Sequence, residues 1–120
     1  MATKDEHVTW AKHNNSFWTS FDINATPFTD WVVTGIFYEA LHWVEAFLAT
    51  KGYHSGTHRN RQWNITHFQE ELGRVQVNEY NTLRSASEGA RYRCHKFTPK
   101  DVQEMIPLLD DISSHISALL

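Results

Sequence analysis

"DWVVTGIFYEALHWVEAFLAT", residues 30–50, holds three charged side chains, Asp30, Glu39 and Glu45, in an otherwise apolar or weakly polar run. It is apolar nearly all round, the pattern of a helix enclosed by others rather than one lying on a surface. A helix over about 27–50 is predicted. Thr26 is a candidate N-cap, and Pro27 fits the first turn, where its missing N–H costs nothing. Gly52 suits the C-terminal end, where a left-handed residue is needed. Thr34, Tyr38, His42 and Glu45 recur at spacings of four, four and three, which places them on one face, with Glu39 beside them. Polar groups on a buried helix must be hydrogen-bonded or line a cleft, because unsatisfied burial costs on the order of 1–3 kcal/mol per group. In the first case an ion pair between Glu45 and Arg74 is expected. In the second, His42 contacts a ligand or transfers a proton.

The rest of the chain supplies partners for this helix. Val8, Ala11, Trp18 and Phe21, with Trp10 and Phe17 alongside, predict a helix over about 4–21. A third helix is predicted over about 66–90, opened by a capping box in which Gln69 reaches back to Thr66. Leu72, Val75, Leu83, Ala86 and Ala90 would form its buried face, with Tyr80 at the edge and weak points at Gly73 and Gly89. A fourth begins at Thr98, with Pro99 in its first turn and Asp101 near the positive end of the helix dipole. Its stripe runs through Val102, Met105, Ile106, Leu109, Ile112, Ile116 and Leu119. No stretch alternates with period two. The expectation is an all-α, up-and-down bundle of four to five helices forming one domain over residues 1–120.

Composition narrows the function. The chain has 120 residues, 41% of them hydrophobic and 13% aromatic, which is globular rather than disordered. A net charge of −3 argues against a general nucleic-acid coat protein but leaves room for local basic patches. Cys94 is the only cysteine, so no intramolecular disulfide can form and a reducing compartment fits best. "MATKDEHVTW" lacks the apolar core of a secretory signal, and no run approaches the roughly 18 apolar residues of a membrane helix. A cytoplasmic protein without a membrane segment is expected.

Basic groups are clustered. "GYHSGTHRNRQWNITH", residues 52–67, holds His54, His58, His67, Arg59 and Arg61, and residues 46–69 contain no acidic side chain. The segment reads as a loop. His54 and His58 are four apart, yet no thiol or carboxylate accompanies them, so no metal or other cofactor is expected. Anion binding suits the segment better, because it leads into a helix start where free N–H groups favour phosphate, and Trp63 can stack on a base. Residues 89–100 are also acid-free and carry Arg91, Arg93, His95, Lys96 and Lys100. A solvated basic connector at each end of one helix is the alternative. On a continuous helix over 66–90 the two clusters would lie about 36 Å apart. A break at Gly73 or a two-fold dimer would be needed to unite them.

"WAKHNNSFW" (10–18), "DWVVTGIFYEALHWVEAFLATKGYHSGTHRNR" (30–61) and "YNTLRSASEGARY" (80–92), in that order, resemble small bacterial and archaeal HEPN-type helical domains. The likeness spans about residues 8–94. It implies a helical bundle that often dimerises. Some members are metal-independent RNases, whereas others bind nucleotides or pair with nucleotidyltransferases. The RNases carry an arginine followed four to six residues later by a histidine, one holding phosphate and the other moving a proton. Arg61 and His67 match that spacing and are the implied catalytic pair. The family motif usually lies in a late helix, which here offers Arg84, Arg91 and Tyr92 without a suitably spaced histidine. Those three, with His58 and His42, are the expected phosphate- or substrate-binding residues. The functional expectation is contact with RNA or a nucleotide phosphate, with RNA cleavage in a defence or toxin–antitoxin setting. The rival expectation is a non-catalytic dimeric module that binds another protein, such as a nucleotidyltransferase.

Overall fold

Helix α2 (Thr29–Thr50) is the axis of the molecule, with fourteen of its residues buried. The computed structural model describes residues 1–120, in which α1 (Lys4–Trp18), α5 (Arg74–Tyr92) and α6 (Pro99–Ser117) pack around α2. Two shorter helices, α3 (His58–His67) and the single-turn α4 (Gln69–Leu72), complete an all-α bundle with no strand. The 18-residue apolar window of α2 is long and apolar enough to cross a membrane, contrary to expectation. It is 78% buried against its neighbours, as befits a core helix.

The ends of α2 follow different rules. At the C-terminus Gly52 adopts φ +79°, Tyr53 N–H donates to Leu48 O (2.9 Å) and Gly52 N–H to Ala49 O (3.0 Å). This is the glycine-terminated closure expected of that residue. At the N-terminus the expected Thr26 cap is not formed. Thr26 Oγ1 instead accepts from Phe28 N–H (3.0 Å) in a turn ahead of the helix, and no side chain caps α2. Helix α6 starts as expected, with a reciprocal capping box between Thr98 and Asp101.

Helices α1 and α2 are antiparallel, with His7 beside His42 and Trp18 beside Glu39. Gly35 permits their close approach, because a Cβ there would sit 3.0 Å from Trp18 Cβ and 3.1 Å from Phe17 Cδ2. Buried Glu39 accepts from two indoles, Trp18 Nε1 (2.8 Å) and Trp43 Nε1 (3.2 Å). A charged acceptor with two donors is a satisfied buried carboxylate, and it ties α1 to the axis.

The predicted third helix is not continuous. Thr66 lies inside α3, where its hydroxyl donates to Gln62 O, so no capping box forms with Gln69. Gly73 (φ +91°) breaks the chain between α4 and α5, a conformation that side-chain-bearing residues seldom adopt. Helix α3 therefore folds back antiparallel to α5, with Gln62 against Asn81 and Arg84. Register follows from the break. Val75 is 64% exposed rather than buried, and Tyr80 lies wholly inside the core rather than at its edge. Helices α5 and α6 are also antiparallel, as Gln76 bonded to Asp111 and Gly89 packed on His95 and Phe97 show.

Candidate functional site

Residues 57–65, read from the sequence as loop, join Thr66 and His67 in a capped helix. Thr57 is its N-cap, and its hydroxyl accepts from Asn60 N–H at 3.0 Å. The cap projects the start of α3 toward α2 and α5, and three elements then supply one cluster of polar groups.

Arg61 points inward. Its Nε lies 2.6 Å from Glu45 Oε1, and the two side chains are only 12% and 4% exposed. Its Nη1 lies 3.0 Å from His58 Nδ1. Glu45 is thus paired with Arg61 and not with Arg74, which bonds to Glu70 on the far side of the break.

Arg84 and Arg91 stand two turns apart on one face of α5. Arg84 Nε donates to Glu88 (3.1 Å) and Nη1 to Gln62 Oε1 (3.1 Å). Arg91 has no carboxylate partner. Its Nε donates to Ser87 Oγ (2.9 Å), and its Nη1 to Tyr38 OH (3.0 Å) and Tyr92 OH (3.2 Å). The guanidinium carbon lies 4.9 Å from the Tyr92 ring centre, 5.4 Å from Tyr38 and 5.7 Å from Phe37. These rings hold the cation without neutralising it. His58 faces the same charges. Desolvation, then the guanidiniums of Arg61, Arg84 and Arg91, hold its imidazolium below the usual histidine range.

The fold thus brings His58, Arg84, Arg91 and Tyr92 into one neighbourhood and resolves the separation expected on a continuous helix. Arg61 and His67 are not brought together. Six residues along one helix place them about 9 Å apart in rise and about 120° apart in direction. Their partners differ accordingly. Arg61 is bound to Glu45, while exposed His67 stacks on Trp63 at 5.4 Å and 7° and on Tyr53 at 5.7 Å and 29°. His42 also lies apart from the arginine cluster's centre. Its Nδ1 meets His7 Nδ1 at 3.1 Å, against α1. Burial, then the charges of His7 and Arg61, push its pKa down to about 4, so it is neutral at physiological pH.

The four-residue polar stripe of α2 is therefore not one network. Thr34 donates to Asp30 O within its own helix, Tyr38 serves Arg91, His42 serves His7, and Glu45 serves Arg61. Sequence reasoning singled out Tyr38 and Arg91 separately but missed their bond, which depends on the register of α2 against α5. It also missed Gln62, which bridges α3 and α5. No group of three or more histidine, cysteine or acidic side chains is placed to hold a metal.

Beside the cluster, an open groove of about 690 Å³ runs between α3 and α5, lined by His58, Arg59, Gln62, Trp63, Thr66 and Arg84. Basic residues 93–96 turn away toward the start of α6, with Arg93 on Ser85 O and His95 against Phe97. No family model, no curated protein and no solved structure matches the chain.

Proposed function

We propose that this chain is a cytoplasmic, HEPN-like helical domain that contacts a phosphate of RNA or of a nucleotide through the face shared by α2, α3 and α5. One observation carries the reading: Arg91 is a guanidinium held by three aromatic rings with no acidic partner, in a cluster whose other cations are Arg84 and a His58 imidazolium that desolvation and the guanidiniums disfavour. Arg84 and Arg91 each leave Nη2 without a protein acceptor. Two preorganised donors beside an imidazole suit the oxygens of a phosphate group.

Binding of labelled RNA in the presence of chelator tests this. Arg91→Ala is expected to weaken binding about ten- to hundred-fold, as loss of a charge-assisted contact would. It should also lower the salt dependence by about one ion. Unchanged affinity in Arg91→Ala would dismiss the phosphate reading. RNA cleavage by Arg61 and His67 would need a two-fold mate to supply one of the pair, since within one protomer they diverge. A denaturing gel of the same reactions reads cleavage directly.

A second reading, a dimeric module that binds another protein such as a nucleotidyltransferase, is favoured by a different observation. Trp10, Phe28 and Trp31 on and around α1 and α2 are 52%, 54% and 54% exposed. Large exposed aromatics are enriched at protein interfaces.

A further inference from the structure

Trp63 is 62% exposed, yet it is held in place. One face lies on His67, and His67 lies on Tyr53. Phe68 meets both His67 and Tyr53 edge-on at 4.8 and 4.9 Å, and reaches the core through Phe47 at 5.9 Å. The indole is thus the outermost plate of a ring pile anchored in the bundle. No other ring or cation lies against it.

This plate stands on the wall of the α3–α5 groove, whose six lining residues include His58, Arg59 and Arg84 and no carboxylate. Glu88 is engaged by Arg84 Nε. Gln62, which also lines the groove, is fixed by Asn81 (3.1 Å) and Arg84 (3.1 Å). A flat uncovered ring beside cationic side chains is the chemistry that binds an unstacked base together with its backbone. A duplex does not satisfy it, because its bases already cover one another. A basic peptide would meet like charge, and a purely apolar partner would bury the Arg59 guanidinium, which lines the groove, without an acceptor.

We propose that the α3–α5 groove binds single-stranded nucleic acid, with one base lying on Trp63 and the adjoining phosphates against Arg59 and Arg84. The inference rests on the phosphate-contact reading and adds the state of the ligand to it.

Fluorescence anisotropy in chelator, with three oligoribonucleotide probes, tests it. The probes are a single strand, the same strand with abasic sites that keep every phosphate, and the annealed duplex. Wild type is expected to bind the base-bearing strand about five- to hundred-fold more tightly than the abasic one. It should also prefer that strand to the duplex. Trp63→Ala should abolish the preference over the abasic strand, and Trp63→Phe should retain part of it. If wild type binds base-bearing and abasic strands alike, or prefers the duplex, or if Trp63→Ala keeps the preference, the stacking site is refuted and the phosphate reading stands. If neither strand binds, both fail together.

Discussion

Arg61 shows how far a residue's role can depart from its most suggestive spacing. Its guanidinium is the counter-ion of a carboxylate sealed beneath it, and removing one member of such a pair leaves the other charged in a low-dielectric interior. Arg61→Ala is expected to cost about 3–5 kcal/mol in urea unfolding. The double variant Arg61→Met with Glu45→Leu should recover most of that loss, because an apolar pair of similar volume removes both charges at once. Loss of RNA binding or cleavage in Arg61→Ala alone would therefore be ambiguous, whereas Arg91, half-buried and unpaired with acid, gives a cleaner probe. Both members of the Glu45–Arg61 pair stood out in the sequence, but their partnership did not. Helix α3 buries only Asn64 and Ile65, so residues 57–67 carry too little apolar periodicity to announce a helix. With the third helix expected to start at residue 66, antiparallel register puts Arg74 level with Glu45. The Tyr38–Arg91 bond was hidden for a related reason, because two residues 53 apart meet only when helix register is known.

Between elements, the contact of α5 with α6 favours a protonated carboxyl. Glu79 faces Asp111, which also accepts from Gln76 Nε2 (3.1 Å), and His115 lies one turn further along α6. Burial first, then the Asp111 hydrogen bond and charge, raise the Glu79 pKa to about 7. As a carboxylate Glu79 keeps Oε1 buried without a donor, whereas as an acid it can donate to Asp111. The folded chain then holds a proton that the unfolded chain releases near pH 4.5. This contribution is complete below that pH and disappears as pH rises through about 7. Urea unfolding at pH 5 and pH 8 should show wild type losing more stability than Glu79→Gln over that interval. Parallel behaviour of the two proteins would remove the shared proton from the account. At this scale the sequence was readable where termination has a chemical signature: Gly52 closes α2 and Thr98 opens α6 as expected. It was unreadable at residues 66–73. A glycine that breaks a helix is spelled the same as one merely tolerated inside it, and only the φ of +91° at Gly73 distinguishes them.

For the whole molecule, extents of 41 × 24 × 24 Å describe a short bundle with α1 attached almost solely through α2. The all-α bundle was readable because α2 and α6 carry strong patterns and everything else had to cover them. The extra helices are α3, formed by residues expected as loop, and α4, cut from α5 at Gly73, and the shared site came with α3. The dimeric reading is testable at this scale. If the exposed Trp10 and Trp31 side chains join two copies, wild type should sediment as a dimer and Trp10→Ser with Trp31→Ser as a monomer. A wild type that stays monomeric at its highest soluble concentration would exclude it. The candidate site draws Tyr38 from α2, His58 from α3, and Arg84 and Arg91 from α5. Tyr38, His58 and the two arginines come from separate stretches of the chain, so a compound that fits the site recognises the assembled bundle. Its binding then shifts the folding equilibrium by mass action, and the rise in melting temperature with ligand concentration becomes a way to find the natural ligand without assuming its identity.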